Sequence, residues 1–445
     1  MVIGKSLSLK LKDKLIQQAL ERKLKQAEQG ESPTSLTVRS EIPESWCRFD
    51  QLPGYKQLQI ISQGGEQLGV GSPFFRVHTG IAGATTDIAD RQYINFASYN
   101  YLGLSGDPRV SEAAKAAIDQ YGTSVSASRL VSGERPIHRQ LEAAIAETYG
   151  VDDAVVMVSG HATNVTTIGY LFGSNDLILH DELIHNSTLV GAQLSGAKRL
   201  SFPHNDYAAL DKLLTAQRAH YERVLIVLEG LYSMDGDLPD LPEFIAIKQK
   251  HRAFLMVDEA HSFGVLGVNG LGIREHFGID GKAVDIWMGT LSKSLAGCGG
   301  FIAGETALVE HLKFLAPGFL YSVGMPPQVA APALAALTIL KQEPERVQRL
   351  HDRSNYFFKQ AQAAGINTGH SQGIAIIPAI TGSSLSAARL SHALFDKGIN
   401  VQPILYPAVP EKSARLRFFL SSEHSEQQID QTLQTLVEVS RRSGR

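Results

Sequence analysis

The sequence predicts an α/β protein, a mostly parallel sheet covered by helices and followed by a smaller α+β domain. Short apolar runs recur through the middle of the chain: AVVMVSG (154–160), DLILHDE (176–182), VLIVLEG (224–230), AFLMVDEAH (253–261), DIWMGTLSK (285–293) and GGFIAG (299–304). They are continuous rather than alternating, as strands buried on both faces of a parallel sheet are. Segments long enough for helices, such as YAALDKLLTAQRAHYER and LPEFIAIKQKH, separate most of them. Each run also hands over to polar or glycine residues, where the ligand crevice of such a sheet lies beyond the carboxyl ends of its strands.

The elements before and after this core follow from their own patterns. Leu11, Leu15, Ile16, Leu20 and Leu24 recur at helical spacing among Lys, Gln and Glu, which predicts an amphipathic helix over about 7–28. Pro33 and Pro43 then oppose helix in GESPTSLTVRSEIPES, a linker composition. Residues 1–50 are thus expected to be an appended helix and linker, 51–95 a lead-in, 96–330 the large domain and 331–445 the small one. The small domain is expected to hold a long Ala/Leu helix, then GIAIIPAI, GINVQPILYPAVP and RLRFFLSSEHS.

Composition narrows the function. With 445 residues, 43% apolar and 20% charged, the chain can build real cores, which excludes disordered and fibrous classes. Forty-two Lys+Arg against 45 Asp+Glu leave a formal charge of -3, too even a balance to gather nucleic acid or anionic membranes. Cys47 and Cys298 are the only cysteines and lack metal-ligand spacing, so a reducing, cytoplasmic setting is expected, with no metal and no disulfide framework. The first residues, MVIGKSLSLKLKDKLIQQ, are broken by Lys5, Lys10, Lys12, Asp13 and Lys14 and so predict no membrane anchor.

Several strand-end residues point to chemistry together where none would alone. Asp258 closes an apolar strand, and a buried carboxylate there requires a cationic or hydrogen-bonding partner. His261 follows within reach of the same crevice. Lys293 sits between an apolar strand and a loop of small residues, where desolvation turns an ammonium into a nucleophilic amine suited to Schiff-base formation. An acid for a pyridinium nitrogen and a lysine for an aldehyde are the two demands of a pyridoxal cofactor. SGHATN (159–164) follows a strand and opens a helix, so its amides can hold an anion, with hydroxyls from Thr290 and Ser292 nearby. The competing glycine-rich stretch GVLGVNGLG (264–272) has loose spacing and lies beyond the aspartate strand, which disfavours a dinucleotide site. His185 offers a flat ring for stacking, and Arg415 and Arg417 share one face of a strand, from which a guanidinium can clamp a carboxylate.

Taken together, SYNYLGLSGDP (98–108), ASRLVSGERPIHRQLE (127–142), SGHATN, DELIHNS, SFPHND (201–206), LEGLYSMDGDLPDLP (228–242), MVDEAHSFGVLG (256–267), GTLSKSLAGCGG (289–300) and ARLRFFLSSEH resemble the α-oxoamine synthase family, over roughly residues 90–445 and in the family's order. The resemblance implies fold type I with a seven-stranded sheet, pyridoxal 5'-phosphate (PLP) as cofactor, and a homodimer with a shared active site. It further implies decarboxylative condensation of a small amino acid with an acyl thioester. It makes Lys293 the Schiff-base lysine, Asp258 the partner of the pyridine nitrogen and His185 the stacking histidine. Ser233 and His261 would lie near the phenolic oxygen, and Gly160, His161 and Thr290 at the phosphate. Ser322, in YSVGMPP (321–327), would reach the phosphate of the neighbouring subunit. Arg417 would clamp the substrate carboxylate, with Asn100, Ser128 and His185 also on the substrate. Tyr99, Val323 and Ala408 depart from residues common in the family, and Ser128 leaves glycine, alanine and serine all open as substrates. The wording of these motifs, PFFRVH (73–78) and the long lead-in are most similar to the members associated with polyketide synthases, whose acyl donor rides on an acyl carrier protein instead of coenzyme A. Serine palmitoyltransferase-like or 8-amino-7-oxononanoate synthase-like chemistry, an aminotransferase or aldolase on the same fold, and a non-catalytic partner subunit are the alternatives; the last would be expected to lack the lysine.

Overall fold

The protein is represented by a computed structural model that describes residues 42–67 and 71–443. The helix expected over 7–28 and most of the linker lie outside the described residues. The chain forms two compact units. One takes in His78–Ile380 and Arg417–Leu433; the other takes in the described parts of Met1–Val77 and Gln434–Arg445 together with Thr381–Leu416. The boundaries expected near 95 and 330 therefore differ from the observed division. The strands Thr85–Ile88 and Arg91–Asn95 pair antiparallel within the larger unit. The apolar helix Pro327–Gln342 packs there on Pro108–Tyr121 and Pro136–Tyr149, burying Ala330, Ala333, Ala336, Leu337 and Leu340, which draws the chain past 330 into the large unit.

The larger unit is built on a seven-stranded sheet in the order Asp153–Met157, Gly300–Gly304, Ile286–Thr290, Phe254–Asp258, Val224–Glu229, Leu177–Asp181, Lys198–Phe202. Only Gly300–Gly304 runs antiparallel to its neighbours; the pairs from Ile286–Thr290 outward to Lys198–Phe202 are parallel. All six apolar runs read from the sequence are strands, because residues such as Leu177, Leu225, Val227 and Met256 are covered on both faces and contribute to the core with Val155, Ile168, Met288 and Ile302. Lys198–Phe202 (KRLSF) carries no apolar run: it is the edge strand, with Lys198 and Arg199 exposed, the usual protection of an unpaired edge.

Helices start where side chains satisfy their first amides. The Ser159 hydroxyl accepts from the Ala162 amide at 3.3 Å ahead of Gly160–Leu171, the Asp206 carboxylate accepts from Ala209 at 2.8 Å ahead of Tyr207–Gln217, and the His185 ring nitrogen accepts from Ser187 at 3.3 Å ahead of Asn186–Ser195. Two of these three caps therefore place an active-site segment at the carboxyl end of a strand.

In the smaller unit the helix Ser384–Asp396 packs beside the strands Ile399–Asn400 and Gln402–Ile404. The Arg76 guanidinium lies 3.4 Å from the centre of the Phe395 ring, which fastens the lead-in to that helix. Among the described residues no helix is long and apolar enough to cross a membrane.

Candidate active site

The parallel strands deliver their polar ends to one cavity, lined among others by Gly160, His161, His185, Glu229, Asp258, His261, Thr290 and Lys293. Seven of the residues proposed from sequence thus meet: the two phosphate-end residues of the first helix turn, Thr290, both histidines, the aspartate and the lysine.

The ammonium end of Lys293 is enclosed, and loss of water lowers its pKa to about 8 against the opposing pull of Asp258 and Glu229. A substantial share of neutral amine at neutral pH is what a nucleophilic lysine needs. Its Nζ lies 5.7 Å from the centre of the Tyr99 ring. Asp258 is buried and held on both oxygens, Oδ1 by the Ala260 amide at 2.9 Å and Oδ2 by Asn164 Nδ2 at 2.8 Å. Beside it in register on the next strand stands Glu229, which burial, and then the charge of Asp258, push up to about 8.

His261 Nδ1 lies 2.8 Å from the hydroxyl of the fully buried Tyr101. Burial, reinforced by the positive charges of Lys293 and Arg417, takes its pKa well below the ordinary value, so the ring is neutral. His185 lines the cavity and remains exposed to solvent; partial desolvation lowers its basicity while Asp258 opposes the shift. Its Nδ1 is engaged by Ser187 Oγ at 2.8 Å.

The remaining expected residues lie outside the cavity lining. Arg417 belongs to the same unit, donates from Nη1 to the Ser233 carbonyl at 3.0 Å, and stacks its guanidinium 4.6 Å from the Phe419 ring centre. Ser233 is buried and its amide donates to Glu229 Oε2 at 3.2 Å. Asn100 spends its side chain locally, donating to the Ala82 carbonyl at 3.0 Å and accepting from the Ser105 amide at 3.2 Å. Ser128 offers its carbonyl to the amides of Val131 and Gly133 at the start of a short turn. The Ser322 hydroxyl donates to the Val323 carbonyl at 3.2 Å. Asn164, Ser187 and Tyr101 were not picked out as site residues from sequence, although they sit inside the motifs SGHATN, DELIHNS and SYNYLGLSGDP, whereas Glu229 is one of the strand-end polar residues that the sequence places at the crevice.

The cavity suits PLP on its own terms. A Cβ added at Gly160 would come within 2.8 Å of Thr290 Oγ1, and one added at Gly300 within 2.5 Å of Thr163 Oγ1, so two bare glycines bring the helix start close to the strand ends. An anion there would face the first-turn amides of Gly160–Leu171. An enclosed amine and a buried carboxylate border the same space, and Glu229 Oε1 and Asn164 Oδ1 are buried without a protein hydrogen-bond partner. A bound polar ring can satisfy such groups.

The family model described as aminotransferase class I and II matches residues 91–436. The chain is 40% identical to 8-amino-7-oxononanoate synthase of Symbiobacterium thermophilum over 80% of this chain and 91% of that protein. It is 36% identical to serine palmitoyltransferase of Bacteroides ovatus over 82% of this chain and 92% of that one. Among solved structures, serine palmitoyltransferase from S. paucimobilis, with PLP and myriocin bound, superposes with a TM-score of 0.84 at 30% identity, covering 88% of this chain and 99% of that one. With the lysine, the aspartate and the glycine cradle in one cavity, these likenesses make the chain a member of the PLP-dependent α-oxoamine synthases, C-acyltransferases of fold type I that condense an amino acid with an acyl thioester.

Proposed function

We propose that this chain joins glycine, alanine or serine to an acyl group carried as a thioester on an acyl carrier protein, releasing thiol and carbon dioxide and leaving an α-amino ketone. The observation that carries this reading is the cavity in which a lysine of lowered basicity, a buried aspartate and two histidines meet. When bound, the pyridoxal ring supplies an electron sink for negative charge at the substrate's α-carbon. Lys293 would hold the cofactor through its Nζ, and that amine, when free, would take the substrate's α-proton as general base. The Asp258 carboxylate, fixed by Ala260 and Asn164, would keep a proton on the pyridine nitrogen. Arg417 clamps the substrate carboxylate, which sets which bond at the α-carbon stands ready to break. His185 would stack on the ring, and His185 or His261 would donate a hydrogen bond to the acyl oxygen.

Carrier-protein delivery is supported by the long lead-in, which precedes the region matched by the family model. Its described part exposes Trp46, Phe49, Leu52, Tyr55 and Leu58, more large apolar surface than a solvent-facing segment needs. A homodimer is supported by a second exposed apolar group, Leu130, Val131, Tyr321 and Val323, on two segments joined by the Gly324 amide donating to the Ala127 carbonyl at 3.0 Å.

The test offers the holoenzyme each amino acid with the same acyl group on coenzyme A and on a carrier protein, and identifies the ketone by mass. The carrier-bound donor is expected to give the higher kcat/KM, with removal of residues 1–40 weakening only that donor's use. Equal or better use of the coenzyme A thioester would replace this reading with a free-thioester synthase.

A further inference from the structure

Between Asp258 and His185 runs an unbroken chain of side-chain hydrogen bonds. Asn164 is buried, and its Nδ2 lies 2.8 Å from Asp258 Oδ2 and 2.9 Å from Ser187 Oγ. A carboxylate oxygen only accepts, so the amide must present its NH2 group to Asp258, and its second hydrogen goes to Ser187 Oγ. Ser187 Oγ thereby accepts from Asn164 and keeps one proton that it can donate to His185 Nδ1 at 2.8 Å, and the backbone amide, which can only donate, decides that Nδ1 is the acceptor. The Ser187 backbone amide points at the same nitrogen from 3.3 Å. Two donors converge on His185 Nδ1, and a proton on that nitrogen would face both of them.

We propose that Asn164 and Ser187 are positioning residues that lock His185 as the Nε2–H tautomer while orienting Asp258. The ring's remaining nitrogen is then a donor. In the mechanism above His185 is one of the two histidines that can meet developing negative charge on the acyl oxygen, and as this tautomer it would do so without rotating or exchanging a proton first. Partial desolvation of His185 favours the uncharged ring in which the tautomer question arises. The charged and titratable groups around it are Asp258, Lys293, His161 and Arg417; the three bases oppose a second proton and Asp258 favours one. The same Asn164 amide that serves Ser187 fixes one Asp258 oxygen, so the acid that holds the pyridine nitrogen and the histidine over the ring are set by one residue. This inference rests on the proposed reading of the cavity, but the tautomer is read without substrates and so fails or stands separately from it.

Neutron diffraction from deuterated holoenzyme crystals is expected to show a deuteron on His185 Nε2 and none on Nδ1. A deuteron on Nδ1, alone or beside one on Nε2, overturns the proposal. In solution, Ser187→Ala is expected to lower kcat about tenfold, the effect of one lost orienting hydrogen bond, with the KM for the amino acid unchanged. Ser187→Thr, which keeps the hydroxyl, is expected to recover most of that loss. Ser187→Ala with an unaltered kcat would contradict the role, and the neutron map of the unaltered protein decides the tautomer even where a variant fails to fold.

Discussion

At Lys293 two forces oppose each other: enclosure pulls the amine toward its neutral form while Asp258 and Glu229 pull it back, and enclosure prevails, leaving the pKa about 8 instead of 10.5. Lys293→Ala is expected to abolish both the visible absorbance of bound cofactor and turnover; an unchanged spectrum would remove the lysine from its assigned place. The same displacement has a stability consequence in the cofactor-free protein. A base whose pKa is depressed on folding costs stability below the folded value, and the cost disappears as pH rises from about 8 through 10.5. Lys293→Met is therefore expected to raise the free energy of urea unfolding at pH 7 by up to about 3 kcal/mol on the usual conversion of pKa shift to energy. The gain should shrink toward nothing above pH 10.5, and one that does not vary with pH would mean packing rather than charge was responsible. Asp258→Asn keeps the shape but loses the charge. Some cofactor should remain bound while exchange of the amino acid's α-proton falls by orders of magnitude, and near-normal exchange would contradict the assignment.

At the level of elements, the site depends on how closely the helix Gly160–Leu171 approaches the strand ends. Gly300→Ala would press a methyl group against Thr163 Oγ1 and to within 2.8 Å of the Gly160 Cα, so the helix start must shift. PLP affinity is expected to fall at least tenfold with far-UV circular dichroism unchanged. Retained affinity would separate the phosphate site from this approach. The helix Pro136–Tyr149 buries Glu142, which receives Arg129 at 2.5 Å, Arg139 at 2.8 Å and Lys313 at 2.9 Å; burial raises its pKa, but Arg129 and Lys313 outweigh that and hold it below the usual carboxylate range. Its contribution is present above the ordinary value of 4.5 and is lost on acidification below it. Sequence made the buried strands legible because continuous apolar runs are required wherever both faces are covered. The edge strand Lys198–Phe202 escaped because solvent on one side removes that requirement. That Asp258, His261 and Lys293 share one cavity was legible because each follows an apolar run that ends at the same edge of the parallel sheet. Asn164 and Tyr101 were not, because each acts through a partner 94 or 160 positions away that only folding brings near.

Across the larger unit, His204 ties two site-bearing segments together. Its Nδ1 lies 2.9 Å from Asp181, which ends the strand leading to His185, and its Nε2 lies 2.8 Å from Asp237 in the turn that carries Ser233. Burial opposes its charge, but the two carboxylates prevail and hold it at about 10. A base raised in this way stabilises the fold fully below its ordinary 6.5, and the contribution is lost as pH climbs through about 10. His204→Gln is expected to cost on the order of 4 kcal/mol at pH 6 and far less at pH 10; equal losses at both would mean the bridge is neutral. Domain limits were the least legible feature, since the apolar face of Pro327–Gln342 reads as a helix from sequence without showing which surface it will cover.

In the proposed reaction, bond making and carbon dioxide loss occur together in the cavity around Lys293. Holoenzyme given an amino acid labelled with 13C in its carboxyl group, together with an acyl thioester, should release labelled carbon dioxide, free thiol and amino ketone in equal amounts, and none of the three after Lys293→Ala. A labelled keto acid formed without thiol release would contradict that account and make the chain an aminotransferase.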